Sequence, residues 1–128
     1  MLFINTNGHF EARPLPMAAQ ISPIRSAVIA DMDGDGRKDL LIAGNMYGAE
    51  VETVRYDAGM GLLLHGNANG DLDAVPATRS GISIPYDTRQ LLPITVADHG
   101  LCYLAVNNDG PLLLFAPRTS AGRQLASR

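Results

Sequence analysis

Nine consecutive residues carry the densest chemistry in this chain: Asp31, Met32, Asp33, Gly34, Asp35, Gly36, Arg37, Lys38 and Asp39. Carboxylates stand at positions 1, 3, 5 and 9 of the stretch, with glycines at 4 and 6. Alternate acids on a tightly turning backbone can aim their oxygens at one point. A hard cation such as Ca²⁺ takes about six to eight oxygens. Asp31, Asp33, Asp35 and Asp39 are therefore candidate side-chain ligands. The backbone carbonyl of Arg37, at position 7, is the candidate non-carboxylate ligand. Without an ion the carboxylates repel one another. A like-charged pair about 4 Å apart costs up to about 4 kcal/mol at an effective dielectric of about 20. A bound cation is the simplest account of four acids in nine residues.

Two other accounts compete with it. An EF-hand needs a bidentate Glu at position 12 and a helix on each side, but position 12 here is Ile42. An acidic turn without metal would also use Asp and Gly, although a turn does not need four carboxylates. The flanking elements separate the first case. Ser26–Ala30 before the loop and Leu40–Ala43 after it are short apolar runs. Such runs read as buried strands rather than helices, so the loop is expected to join two strands.

Other residue types with chemical potential are scattered. His9, His65 and His99, with Ser26, Ser80 or Ser83, are the candidates for a hydrolase or other enzyme. None stands in a nucleophile-elbow motif, and there is no glycine-rich phosphate loop, so the expectation is a non-catalytic protein. Tyr47, Tyr56, Tyr86 and Tyr103 could stack on a sugar, but tyrosines in β-structure more often pack. Cys102 is the only cysteine, which excludes an intrachain disulfide and a thiolate metal site. Its neighbours Leu101, Tyr103 and Leu104 mark a buried, inert thiol.

The whole chain sets further limits. Its 128 residues suffice for one domain at most. A net charge of −3 and the lack of a basic face argue against a nucleic-acid partner. No apolar run approaches the roughly 20 residues of a membrane span. The opening Met1-Leu2-Phe3-Ile4 is too short and too uncharged for a signal peptide. Thirteen Gly and eight Pro leave little room for long helices, and short strands between turn signals imply an all-β chain.

The elements around the loop are tiled. Residues 1–22 laid over 63–84 match Asn5 to Asn67, Asn7 to Asn69, Gly8 to Gly70, Phe10 to Leu72, Ala12 to Ala74 and Pro14 to Pro76. Ala43 and Asn45 match Ala105 and Asn107 at the same offset. Val28–Asp31 instead matches Thr95–Asp98, where Asp98-His99-Gly100 replaces the acidic loop. This divides the chain into a first unit, 1–62, with the metal loop, a degenerate second unit, 63–117, and a flexible tail, 118–128. Strands are expected at Leu2–Asn5, Arg25–Ala30, Leu40–Gly44, Val51–Tyr56, Leu62–Leu64, Thr88–Ala97, Leu101–Asn107 and Leu112–Phe115. Asn7-Gly8 is a hairpin turn. Asn67–Asp73 is oxygen-rich, but it reads as a hairpin connection, since its counterpart Asn5–Glu11 has amides where ligands would be needed. Four up-and-down strands per unit is the plan of a propeller blade.

The acidic loop between strands, with Asn-x-Asn-Gly between units, Gly44-Asn45, Arg55-Tyr56-Asp57 and Ser80-Gly81, resembles the FG-GAP/VCBS repeat family. It looks like the C-terminal region of bacterial VCBS-repeat proteins similar to the cartilage acidic protein and ASPIC/UnbV group. The resemblance spans about residues 1–117. It implies β-propeller blades of four antiparallel strands, about two in this chain, and Ca²⁺ bound by Asp31, Asp33, Asp35, Asp39 and the Arg37 carbonyl. It also implies an extracellular or cell-surface scaffold that binds protein or glycan. A propeller closes with four to eight blades. The expectation is therefore either a longer parent protein or a ring of several chains, with Leu2–Asn5 completing a neighbour's last blade.

Overall fold

The computed structural model describes residues 1–117, and the expected tail at 118–128 lies outside the described residues. Within them the chain forms nine antiparallel strands in sheets of two, four and three. Helix is limited to a 3₁₀ turn, Met17–Ala19, and one short helix α1, Ala77–Ser80.

The two-stranded sheet is a hairpin of β1 (Leu2–Thr6) and β2 (His9–Arg13). Its turn is Asn7-Gly8, with φ of 53° and 88°. Positive φ at both positions is what a two-residue hairpin turn demands, and Asn-Gly tolerates it. The four-stranded sheet runs β3 (Ile24–Ala30), β4 (Asp39–Gly44), β5 (Leu62–Gly66) and β6 (Leu72–Val75), each next to its sequence neighbour. It therefore draws strands from both sides of residue 62. The three-stranded sheet is β7 (Thr88–Val96), β8 (Gly100–Asn107) and β9 (Leu113–Phe115). Pro93 sits inside β7 without breaking the sheet because β7 is an edge strand.

Strand β4 is the centre of the packing, and all six of its residues are buried. Successive side chains point to opposite faces of a strand. Leu41 and Ala43 join Val28, Ile84, Leu91, Tyr103 and Ala105 in a core between the four- and three-stranded sheets. Leu40 and Ile42 join Ala19 and Leu64 on the other face. A strand covered on both faces reads as a continuous apolar run, and Leu40–Ala43 is one. Full burial of a leucine such as Leu41 or Leu64 contributes about 1.5–3 kcal/mol.

The two larger sheets also meet through polar groups. The Leu91 N–H on β7 donates to Ser26 Oγ on β3 at 2.9 Å. Both strands carry a bulge at their start, at Arg25 and at Arg89. Both arginines reach the fully buried Asp87, with N···O distances of 3.9 Å from Arg25 and 2.8 Å from Arg89. Asn45, also fully buried, bonds Ser22, Gly59 and Tyr86 through its side chain.

One expected strand is absent. Val51–Tyr56 is a turn with a single bridge, Met46 to Tyr56. Val51 and Val54 lie in solvent. The edge of β4 that this segment would need is taken by β5 through Leu40↔Leu64, Leu41↔Leu63 and Ile42↔Leu62. Partial alternation therefore had no sheet to join.

Candidate metal centre

The acidic loop leaves β3 at Ala30 and enters β4 at Asp39. Strands flank it on both sides, as expected, and no EF-hand is formed. The first three carboxylates wind the backbone by accepting N–H groups from further along the loop. Asp31 Oδ1 accepts from Gly34 at 2.7 Å, and Oδ2 from Gly36 at 2.9 Å. Asp33 Oδ1 accepts from Asp35 at 3.1 Å, and Asp35 Oδ1 from Arg37 at 2.8 Å. Gly34 and Gly36 have φ of 83° and 85°. Only glycine adopts this region without steric cost, so the two glycines let the loop coil under the acids.

The result is convergence. One oxygen each from Asp31, Asp33 and Asp35 lies within 4.8 Å of the others, so this trio could hold a metal ion. Asp39 is not in that trio. It is 1% exposed and spends both oxygens on backbone donors, Met32 at 2.8 Å and Gly66 at 3.0 Å. It instead falls within 4.8 Å of Asp33 and His65, a second set of metal-competent atoms. Arg37, expected through its carbonyl, makes contacts through its side chain. Its guanidinium bonds Asp35 Oδ2, and its Nε donates to the Gly66 carbonyl at 2.8 Å. This arginine balances one loop charge and ties the loop to β5.

The chemistry of the donor set fits a hard cation. The trio offers carboxylate oxygens alone, partly exposed and joined by a short loop. Four acids against Arg37 and Lys38 leave a net charge of −2 across residues 31–39 (four minus two). The field at the loop therefore attracts cations.

His65 as a metal-competent neighbour was not legible in the sequence, where it stood only among scattered histidines. The signal was register. Asp39 lies one step beyond the Leu40↔Leu64 pair, which sets it opposite His65. Of the other catalytic candidates, Ser80 lines one cleft together with His65, and Ser83 is exposed. His9 is on β2 and His99 in the β7–β8 turn, both exposed. Ser26 Oγ is used by Leu91, and Ser80 Oγ accepts the Ile82 N–H at 3.2 Å. Asn67 closes the β5–β6 connection by accepting the Asn69 and Asp71 N–H groups, each at 3.0 Å. Tyr47 donates to the Pro85 carbonyl, and Cys102 is buried and free.

A cleft of about 1070 Å³ opens beside the loop, between the two larger sheets. Leu41, Leu63, Val75 and Phe115 line it, and Asp33, His65 and Tyr103 are also on its wall. Tyr103 is 4% exposed and its hydroxyl has no hydrogen-bond partner among the described residues. Burial first, then the charges of Asp39 and Asp31, push its ionisation above the ordinary tyrosine range.

Among the described residues no helix is long and apolar enough to cross a membrane. Comparison with known proteins matches no family model, no curated protein and no solved structure.

Proposed function

We propose that this chain is a Ca²⁺-stabilised, non-catalytic β-propeller segment that acts as an extracellular scaffold or as a protein- or glycan-binding module. The observation that carries the reading is the convergence of Asp31, Asp33 and Asp35 at a strand-to-strand crossover. An all-oxygen donor set on a short acidic loop suits Ca²⁺ rather than a softer metal. Asp39 and the Arg37 carbonyl complete the proposed ligand set. The ion's role is structural: it neutralises the loop and fixes the turn between β3 and β4. The resemblance to FG-GAP/VCBS repeats supports the propeller, and the four-stranded meander β3–β6 has the strand order of one blade. Extracellular Ca²⁺ modules bind at roughly 10⁻⁴–10⁻³ M, so millimolar Ca²⁺ is the working condition.

Thermal melts in millimolar Ca²⁺ and in EDTA test this. A structural ion raises Tm, because millimolar Ca²⁺, at about 1–10 times such a Kd, stabilises by about 0.4–1.4 kcal/mol. Asp31→Ala removes the response, since Asp31 belongs to the oxygen trio alone. Equal melting with and without chelator would sink the reading.

A further inference from the structure

The two oxygens of Asp33 face different neighbours. Oδ1 accepts the Asp35 N–H inside the loop at 3.1 Å. Oδ2 lies 3.7 Å from Nδ1 of His65 on β5. Hydrogen bonds between N and O run about 2.7–3.2 Å, so these two atoms are not bonded to each other. Their spacing suits a bridging cation. A metal about 2.1 Å from an imidazole nitrogen and a carboxylate oxygen, at a tetrahedral angle, sets those atoms about 3.4 Å apart. Asp39 completes the set, with one atom from each of Asp33, Asp39 and His65 within 4.8 Å of the others. The strands hold this arrangement. The Gly66 N–H, next to His65, donates to Asp39 Oδ1 at 3.0 Å.

A second observation falls in the same cleft. Tyr103 lines it together with Asp33 and His65 and brings a buried hydroxyl without a partner among the described residues. The carboxylates of Asp39 and Asp31 are the charges that act on this hydroxyl. A buried donor normally has an acceptor, and an oxygen carried by a metal-bound water or ligand would supply one.

We propose that Asp33, Asp39 and His65 form a second cation site, distinct from the acidic loop's own and sharing Asp33 and Asp39 with its proposed ligand set. It takes a borderline divalent transition metal such as Zn²⁺ or Co²⁺. One imidazole and two carboxylates suit such ions. Three protein ligands leave a coordination position open, and the cleft beside Tyr103 is where it opens. Asp33 is then a bridge, with Oδ1 toward the loop ion and Oδ2 toward the second ion.

The test uses the whole chain in saturating Ca²⁺, with Co²⁺ as the probe, read by calorimetric stoichiometry and by the visible absorption of tetrahedral Co²⁺. One Co²⁺ per chain binds without displacing Ca²⁺. His65→Gln weakens Co²⁺ by at least about tenfold and leaves the Ca²⁺-dependent Tm shift in place. Asp35→Asn does the reverse, removing the Ca²⁺ shift while Co²⁺ binding stays within about twofold. Because a His65 variant can fail to fold, a His9→Gln/His99→Gln double variant is the companion. His65 is its only histidine, and it binds Co²⁺ as the parent does. Simple competition between Co²⁺ and Ca²⁺ for one equivalent would overturn the proposal. So would parent-like Co²⁺ binding by His65→Gln, or its loss in the double variant. A chain that ignores Ca²⁺ but binds Co²⁺ through His65 would sink the reading of the loop and leave this one standing.

Discussion

Asp33 and Asp39 carry the same side chain in opposite settings. Asp39 is buried, and each of its oxygens accepts a backbone N–H. Asp33 is exposed and accepts one. In EDTA, Asp39→Asn turns one acceptor into a donor facing an N–H, so it should cost about 1–3 kcal/mol. Asp33→Asn keeps an acceptor for Asp35 and removes a negative charge from the cluster, so it should stay within about 0.5 kcal/mol. Urea melts in EDTA check both. Tyr103 gives the pH dependence. Its folded ionisation lies above the unfolded value of about 10, owing first to burial. The folded state therefore keeps a proton that the unfolded chain releases. Stability is intact below about pH 10 and falls as pH rises through the folded pKa. Tyr103→Phe should lessen that alkaline loss. At neutral pH in EDTA it should leave stability unchanged or raised, because the hydroxyl has no partner to lose. An alkaline limb as steep as the parent's would contradict this.

At the scale of elements, the pairing of β4 with β5 decides what lies beside the loop. The apolar run Leu40–Ala43 was legible as a buried strand, and its burial on both faces follows from its composition. The partner was not legible. Val51–Tyr56 alternates well enough to compete for the edge of β4, whereas Leu62–Leu64 wins it by burying Leu64 and packing Leu62 against Leu40 and Ile42. Gly66 marks how close the winning strand comes. A Cβ there would stand 2.3 Å from the Lys38 carbonyl oxygen. Gly66→Ala should force β5 away from the loop exit and cost about 1–3 kcal/mol, with a weaker Ca²⁺ response because Asp39 and Arg37 both lose their anchor on Gly66. Val54→Thr, out in solvent, should change stability by less than about 0.5 kcal/mol. Paired denaturation curves separate the two, and a silent Gly66→Ala would show that the approach is not tight.

At the scale of the molecule, the sheets of two, four and three strands leave edges and apolar faces unpartnered among the described residues. Phe3 and Phe10 share one face of the β1–β2 hairpin, since Phe3 pairs with Ala12 and Phe10 with Asn5. Both are exposed, as is Leu114 on β9. Unpaired strands and exposed apolar rings favour association through edges. On the proposed reading, other copies of the chain or further blades of a longer protein cover them. Light scattering in Ca²⁺ should find an oligomer that Phe3→Ser/Phe10→Ser shifts toward monomer. A well-folded parent monomer would remove the ring and leave the longer protein.

Local patterns sufficed for everything that rests on local physics. Acid spacing and glycines wrote the loop, apolar runs wrote β3, β4 and β8, and Asn7-Gly8 wrote the first turn, because each depends on neighbours a few residues away. What stands opposite what depends on burial summed over distant segments. Only the folded chain could therefore place His65 across from Asp39, bring Tyr103 to the cleft beside the loop, and leave Val51–Tyr56 outside the sheet.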